Sequence, residues 1–455
     1  MHCSNCGKDS EDGTRVCPWC GTRMSPVANP RPKRKATVAT VAVLAIAVVA
    51  CFAIFAMENE PDDKAVHLYP EIPRNDVPDD SDIPGDSEVR KDDAGDRTIS
   101  YTSDHLDIFD ISYGTSDDGK TQIIVSMKDK EASEYTSFTW YVNKNISSGN
   151  YRVGNVTKTT DQNEDANRVT WTLEDSDIGT YTIGVICSQG TGWGGLFDFG
   201  PLIPWNQKSY TLKVTIDGDI AKTYSWKYDE SDYTFTISYA YSEYEKYAGS
   251  SGASMEKREA YNDGRGNVDF DVVTDFIVVN DVVDDIQNAL KKAYESSGKT
   301  ATGQDYAEFI LAFVQECYGY MYDEVQYLQD EYFAFPMETI HNGNGDCEDT
   351  SILLAAIYES AGFDTGVFLI PGHAIAAVAL NPYVAGDYDK TQNVSVFSIV
   401  QDGKTYYGCE TTLDENIYGV GYITNTYTVE DNSICYNGKK VSDISEEYGL
   451  YRVAA

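Results

Sequence analysis

Alternating hydrophobic and polar positions are the clearest pattern in the chain, from about residue 98 to 245. Apolar residues there recur with a period of two, and Asp-Gly pairs separate some of the runs. Such alternation is typical of half-buried strands, and Asp-Gly suits the two-residue turns of hairpins. The pattern therefore predicts an antiparallel β-sandwich. The clearest runs are residues 169–173, 181–185, 212–216 and 233–239.

A short motif gives this region a more specific candidate architecture. Residues 177–181, with the sequence DIGTY, resemble the tyrosine corner of immunoglobulin-like domains, and Trp140 is a candidate for the core indole. The cysteine pair that joins the two sheets of antibody domains is missing. Residues 98–245 are therefore predicted as an all-β sandwich, with an immunoglobulin-like sandwich as the more specific alternative.

The remainder of the chain, residues 246–455, mixes two periods. Residues 281–296 and 305–316 repeat their apolar positions at helical spacing. Further along, two alternating runs flank the pair Asp402-Gly403, which predicts a hairpin. Helices followed by strands predict an α+β domain for this part.

Residues 36–57 form one apolar segment of 22 uncharged residues. At about 1.5 Å rise per residue, a helix of this length crosses a hydrocarbon core of about 30 Å. Basic residues precede the segment and acidic residues follow it, which places the N-terminus in the cytoplasm. The sequence thus predicts a single-pass protein of the cell membrane, with residues 31–57 as basic flank and transmembrane helix. A cleaved signal peptide is the alternative, disfavoured because 35 residues precede the segment.

Acidic residues dominate the next segment and the chain as a whole. Residues 58–97 contain 14 acidic residues and five prolines, which predict a disordered linker. The chain has 35 Lys and Arg against 73 Asp and Glu, a formal net charge of -38. Because this charge repels phosphate backbones, no nucleic-acid partner is expected.

Four of the ten cysteines lie in the first twenty residues as two CxxC pairs. This spacing predicts a zinc ribbon over residues 1–30, in which four thiolates hold one structural zinc ion. No coordination position stays open for catalysis, and the ribbon's cytoplasmic partner is unknown. Disulfides are the alternative, disfavoured in a reducing compartment. The predicted zinc ligands are Cys3, Cys6, Cys17 and Cys20.

One thiol lies where a reactive cysteine is expected. Cys347 follows Asp346 directly before an apolar segment with helical spacing, so it is predicted to begin a buried helix. The positive end of a helix stabilises thiolate, whereas Asp346, Glu348 and Asp349 bring negative charge that opposes it. A general base is therefore required. The other four downstream cysteines are predicted to be small buried hydrophobic residues, with one disulfide among them left open.

Two further residues complete a candidate catalytic set. His373 follows Pro371-Gly372 at the start of an apolar strand, in a chain with only five histidines. It is the candidate base. Glu410, on a later strand edge, is the candidate acceptor that orients the imidazole, and its alternative interpretation is a surface carboxylate.

These motifs resemble the transglutaminase-like superfamily, whose papain-related core uses Cys, His and Asp or Glu in that chain order. The matching sequences are GDCEDTSILLAA, PGHA and YYGCETT, within residues 270–425. The resemblance implies that Cys347 is the nucleophile, His373 the base and then the acid, and Glu410 the residue that holds the imidazole. The superfamily commonly has Asp-Pro-Thr where this chain has Glu-Thr-Thr, so Asp414 is an alternative. Tyr320 is a further candidate, beside the oxyanion site.

The predicted function follows from this chemistry. Such a site forms a thioester from a carboxamide or peptide carbonyl and passes the acyl group to water or an amine. The predicted substrate is an extracellular protein or peptide, acted on outside the membrane. The alternatives are a catalytically inactive binding module and a surface sensor.

Overall fold

The protein is described from a computed structural model. Every described residue lies within Ile83–Ala455, the second of the two units into which the chain divides. The described residues are 88–91, 97–135, 137–146, 149–153, 158–159, 167–188, 207–248, 270–327, 329, 331–386, 394–412, 419–445 and 448–453. The zinc ribbon with Cys3, Cys6, Cys17 and Cys20, the apolar segment 36–57 and Asp414 lie outside them.

Strands account for most of the regular structure. In chain order they are β1 (Glu88–Lys91), β2 (Thr98–Thr102), β3 (Phe109–Thr115), β4 (Thr121–Met127), β5 (Ser137–Ile146), β6 (Gly149–Val153), β7 (Lys158–Thr159), β8 (Arg168–Thr172), β9 (Gly179–Ser188), β10 (Gln207–Asp217), β11 (Asp219–Tyr228), β12 (Ser231–Ala240), β13 (Gly319–Tyr320), β14 (Asn344–Gly345), β15 (Thr365–Ile370), β16 (His373–Ala379), β17 (Val394–Val396), β18 (Ser398–Gln401), β19 (Lys404–Cys409), β20 (Tyr422–Thr424), β21 (Tyr427–Glu430), β22 (Ser433–Tyr436), β23 (Lys439–Lys440) and β24 (Gly449–Arg452).

Helices are fewer, and most of them belong to the C-terminal part. The α-helices are α1 (Asp129–Ala132), α2 (Tyr241–Glu245), α3 (Asp281–Glu295), α4 (Gly303–Cys317), α5 (Asp323–Gln326), α6 (Pro336–Asn342) and α7 (Cys347–Ser360). Short 3-10 helices cover Leu106–Ile108, Phe270–Phe276 and Val441–Asp443.

The N-terminal part of this unit is a two-sheet sandwich. One sheet has the order β1-β2-β10-β9-β5-β6, with β7 paired to β5, and the other has the order β3-β4-β8. Alternate side chains of both sheets enter one core, in which Trp140 and Trp171 are fully buried. Tyr181 packs its ring 4.6 Å from that of Trp171, and its hydroxyl reaches Asp177 Oδ1 at 3.4 Å. Strand β1 lies within residues 58–97, the segment for which the composition predicts a disordered linker.

The hairpin β11–β12 packs away from this sandwich core. Its alternating pattern predicts strands within the sandwich, and they are strands, but their apolar face joins the core of the C-terminal part. Trp226 lies 5.4 Å from Phe309 and 5.3 Å from Phe313, measured between ring centroids, on helix α4. Periodicity alone gives a strand one apolar face without identifying the element that covers it.

The C-terminal part places helices against an antiparallel sheet with the order β18-β19-β16-β15-β24. Helix α7 packs on β15 and β16 because its apolar residues, from Ile352 to Tyr358, are fully buried. Tyr358 donates from its hydroxyl to the Ala307 carbonyl of α4 at 2.9 Å, which ties the two helices together. The core therefore fixes the start of α7 relative to the first residue of β16.

The fold class predicted from the sequence requires correction. It included one transmembrane helix, with the C-terminal domains outside a cell membrane. Within the described residues, no helix combines the length and apolar character needed to cross a membrane, and the architecture is mostly β-strand with few helices. The transmembrane helix, the single-pass location and the extracytoplasmic placement that depended on it are therefore not supported and are withdrawn.

Candidate active site

Cys347 is the first residue of helix α7, and the preceding chain is tightly constrained. Helix α6 ends at Asn342, and the next residue, Gly343, has a φ of 76°, a left-handed conformation that glycine adopts without strain. The next two residues form β14, which pairs in parallel with β13. A Cβ on Gly345 would lie 2.5 Å from the Asp349 Cβ, so this position has no room for a side chain. The thiol is thereby held at the helix N-terminus.

His373 and Glu410 lie on neighbouring strands of the sheet. His373 begins β16 after a turn in which Gly372 has a φ of 69°. Strand β19 pairs with β16 through Ala376 and Cys409, and Glu410 directly follows that pair. The register therefore brings the Glu410 carboxylate to the imidazole, with Oε2 at 2.7 Å from Nε2 of His373.

Hydrogen bonds fix the carboxylate as well as the ring. Glu410 is 4% exposed, and its Oε1 accepts from the backbone N–H of Thr412 at 3.1 Å and from the Thr412 hydroxyl at 2.7 Å. A carboxylate next to Nε2 assigns the proton of a neutral imidazole to that nitrogen. Nδ1 then keeps its lone pair and can act as a base.

Electrostatic effects within the pair favour its charged form. Burial alone would lower the pKa of His373, but the attraction and hydrogen bond of Glu410 raise that pKa above its ordinary value. Burial likewise opposes ionisation of Glu410, yet His373 and Thr412 lower its pKa. The Glu410 carboxylate therefore stabilises the imidazolium form of His373, which is the form that a base reaches after it has taken up a proton.

The thiol and the imidazole open into the same cleft, which has a volume of about 410 Å³. Cys347, His373 and Tyr320 all line it. The backbone N–H of Ala374, directly after the histidine, interacts with the Cys347 sulfur and favours its thiolate. The structure thus brings together all three residues of the predicted catalytic set, and Tyr320 lies at the same cleft, 42% exposed.

Cys347 itself is held in a resting form that opposes ionisation. Burial raises the pKa of its thiol well above the ordinary value, and the negative charges of Glu348 and Asp346 raise it further. The thiol donates a hydrogen bond to Glu348, with 3.0 Å between Sγ and Oε2. The acidic neighbours therefore counteract the helix N-terminus, as their positions in the sequence indicate.

A cluster of carboxylates surrounds the thiol. The side-chain oxygens of Asp323, Asp346 and Asp349 lie within 4.8 Å of one another, as do those of Asp323, Glu331 and Glu348. Burial and repulsion by Asp346 raise the pKa of Asp323 to about 8. Burial raises the pKa of Asp346 to about 6, although its hydrogen bonds with Glu348 and Asp349 act in the opposite direction. Burial, followed by repulsion from Asp346 and other neighbouring carboxylates, raises the pKa of Glu348 and of Asp349 well above the ordinary value.

Backbone groups orient two of these carboxylates. Asp323 Oδ2 accepts from the N–H of Tyr332 at 2.5 Å, and Asp349 Oδ1 accepts from the N–H of Ala334 at 2.7 Å. Sequence motifs do not identify Asp323 and Glu331, because these residues are distant from Cys347 along the chain and belong to no motif. Their acidity alone does not distinguish them among the 73 acidic residues.

The remaining candidates have simple structural environments. Phe335 directly precedes helix α6, and its N–H donates to Glu338 at 3.0 Å. The downstream cysteines other than Cys347 are free thiols within the described residues. They are Cys187, Cys409 and Cys435, which are buried, and Cys317, which is partly exposed.

Comparisons with known proteins add little. No protein-family model matches the chain, and no curated protein matches it. A solved structure described as a "putative protease" from Parabacteroides distasonis is similar at 8% sequence identity and a TM-score of 0.17, over 65% of this chain and 64% of that protein. A similarity this low carries no argument. None of the comparisons supports the transglutaminase-like resemblance or the zinc ribbon, and both remain predictions from sequence motifs.

Proposed function

We propose that the protein is a thiol enzyme that acts on carboxamide or peptide bonds of a protein or peptide through a thioester. Cys347 is the nucleophile, His373 the base and then the acid, and Glu410 the residue that holds the imidazole. The observation that carries the proposal is the 2.7 Å imidazole–carboxylate pair at the cleft that Cys347 also lines. The chain order of the three motifs, which resembles the transglutaminase-like superfamily, supports the same roles.

The chemistry follows from the protonation of the imidazole. Nδ1 of His373 takes the thiol proton as the sulfur attacks the carbonyl carbon, and Glu410 stabilises the imidazolium that forms. The imidazolium then gives this proton to the departing amine, which leaves an acyl group on the sulfur. In the second half, water or an amine attacks the thioester while Nδ1 takes its proton, and that proton returns to the sulfur. Water gives hydrolysis, and an amine gives acyl transfer.

Thioester formation can be tested without a known substrate. Full-length protein is incubated with casein as a model polypeptide and with hydroxylamine, which converts an acyl-enzyme thioester into a hydroxamate. Hydroxamate formation that is lost in Cys347→Ala and in His373→Ala, but kept in Cys317→Ala, is the expected result. Equal hydroxamate with wild type and Cys347→Ala would contradict the proposal.

A binding module is the second candidate, and one observation favours it. The Cys347 thiol donates to Glu348, and its pKa is raised, which is the state of an unreactive cysteine. Site-resolved labelling with iodoacetamide separates the two functions. An enzyme should show Cys347 labelling that falls about tenfold or more in His373→Ala, since base catalysis typically contributes at least that much. A binding module should show the same slow labelling in both proteins.

A further inference from the structure

The wall of the cleft beside Cys347 is unusually acidic. Its lining includes five carboxylates, and no Lys or Arg is among the described residues that line it. Glu324 and Glu331 are exposed, whereas the others are buried beside the thiol. The five acidic lining residues are Asp323, Glu324, Glu331, Asp346 and Glu348.

Two of these carboxylates, those of Asp323 and Asp346, are almost fully buried. Asp323 is 3% exposed and Asp346 is 7% exposed, and Oδ1 of each lacks a hydrogen-bond partner among the described residues. Buried carboxylate oxygens are normally paired, because an unpaired one loses its hydration without compensation. Both residues also line the cleft, so a cationic or hydrogen-bond-donating ligand bound there would offset the cost of burying these carboxylates.

The spacing of the wall suits an organic cation. Oxygens of Asp323, Glu331 and Glu348 lie within 4.8 Å of one another, so a guanidinium or ammonium group can donate to two of them at once. Tyr320 and Tyr322 stand at the same cleft, 42% and 47% exposed, with their rings edge to face at 5.1 Å. Exposed tyrosine faces add favourable contacts for such a group.

We infer that the site acts on substrates that carry a Lys or Arg side chain next to the reacting carbonyl, and that Glu331, Glu348 and Asp323 receive this cation. The inference rests on the proposed function and specifies its substrate class. The cation would occupy the space between the wall and the thiol. It would neutralise charge that otherwise opposes ionisation of Cys347, so binding and activation are coupled.

Charged thiol reagents test the wall separately from turnover. Full-length protein is treated with 2-aminoethyl methanethiosulfonate, which is cationic, or with 2-sulfonatoethyl methanethiosulfonate, which is anionic. In each reaction the thiolate forms a mixed disulfide and releases methanesulfinate. Labelling rates at Cys347 are measured by mass spectrometry. Each rate is divided by the rate at which the same reagent reacts with 2-mercaptoethanol, which corrects for the intrinsic reactivity of the reagent. The cationic reagent is expected to be faster by about tenfold or more, the lower end of electrostatic rate enhancement in a charged cleft.

Variants locate the origin of this preference. Glu331→Gln and Glu348→Gln are expected to reduce the ratio severalfold, whereas Asp118→Asn, an exposed position in the sandwich, should leave it unchanged. Circular dichroism of each variant verifies that it is folded. A preference that persists in both glutamine variants would come from the overall charge of -38 and would overturn the inference. Equal rates for the two reagents in wild type would also overturn it.

Two further experiments distinguish this inference from a metal site and from the proposed enzyme activity. Mg²⁺ or Ca²⁺ that abolishes the preference, when NaCl of equal ionic strength does not, would assign the carboxylates to a metal ion and overturn the inference. Turnover is then compared on peptides that differ only in Arg or citrulline, a neutral analogue of the same shape. Faster turnover of the arginine peptide supports the inference, whereas equal turnover contradicts the substrate class and leaves the proposed thiol enzyme intact. If neither peptide is turned over but the cationic reagent is still preferred, the proposed enzyme is contradicted and the cation-binding wall is not.

Discussion

Glu410 Oε2 lies 2.7 Å from Nε2 of His373. The two residues are far apart along the chain, and the pairing of β16 with β19 brings them together. The carboxylate is almost fully buried, and its second oxygen is held by Thr412. An imidazole with such a partner has a fixed ring orientation and a fixed proton position. The pair therefore has the geometry of a base and its orienting residue.

Glu410→Gln is expected to reduce thioester formation by about 100-fold or more, in the range that general acid–base catalysis contributes. The neutral amide no longer stabilises the imidazolium, so the pKa of His373, which Glu410 raises, should fall. Hydroxamate formation and the NMR titration of His373 measure the two effects. Glu430→Gln, at an exposed position, is the matched control. An unchanged His373 titration in Glu410→Gln would show that the pair is not coupled.

The pH dependence of labelling at Cys347 tests the resting state of the thiol. Because burial, Glu348 and Asp346 raise the thiol pKa, labelling by iodoacetamide in the absence of substrate should still increase above pH 9. Glu348→Gln removes the negative charge and the carboxylate that accepts the hydrogen bond of the thiol, so the midpoint of this increase should move to lower pH. Cys317, in the same samples, provides the internal reference. A midpoint that moves upward in the variant would exclude Glu348 as the group that holds the thiol protonated.

The sequence could predict the features of the site that depend on local chemistry. Cys347 at a helix start and His373 at a strand start are visible from their neighbours, because a glycine, an acidic residue and an apolar repeat specify those boundaries. Glu410 could be named only as a candidate acceptor on a strand edge, since its proximity to His373 depends on the pairing of β19 with β16. Asp323 and Glu331 could not be predicted, because only tertiary packing brings them to the thiol.

The same limit applies to the fold. Alternation predicts strands in both the sandwich and the hairpin β11–β12. The hairpin nevertheless covers helix α4, because Trp226 packs against Phe309 and Phe313 of that helix. An apolar face is a local property, whereas its partner is not. Hydropathy predicts a membrane span at residues 36–57, which lie outside the described residues, and among the described residues no helix is long and apolar enough to cross a membrane.

Gly345→Ala tests how closely the start of α7 is packed. The added Cβ would lie 2.5 Å from the Asp349 Cβ and 2.9 Å from its Oδ2, so the chain before Cys347 must shift. Overpacking of this kind costs about 1 to 3 kcal/mol in the free energy of unfolding. Urea denaturation measures that loss, and Cys347 labelling in the native state should change with it. Gly449→Ala is the control, since nothing lies within 4 Å of the added carbon there. Equal stability of the two variants would mean that the turn has room to relax.

His341 gives the folded protein a specific sensitivity to acid. It stacks on Tyr244 with ring centroids 3.8 Å apart, and its Nδ1 lies 3.3 Å from the Tyr239 hydroxyl. Burial, with smaller contributions from Lys222 and Lys144, lowers its pKa from 6.5 to about 4. The unfolded chain therefore binds a proton that the folded one excludes between these pH values, so stability falls as the pH decreases through that window. A shift from 6.5 to about 4 limits the loss to about 3 kcal/mol.

Urea denaturation at several pH values between 7 and 4 measures this loss. His341→Phe keeps an aromatic ring on Tyr244 but cannot be protonated, so its free energy of unfolding should decline less than that of wild type across the same range. The difference between the two curves isolates His341, because the carboxylates are common to both proteins. Parallel curves would show that His341 takes up its proton without loss of packing, in which case the acid sensitivity of the fold would lie with other groups.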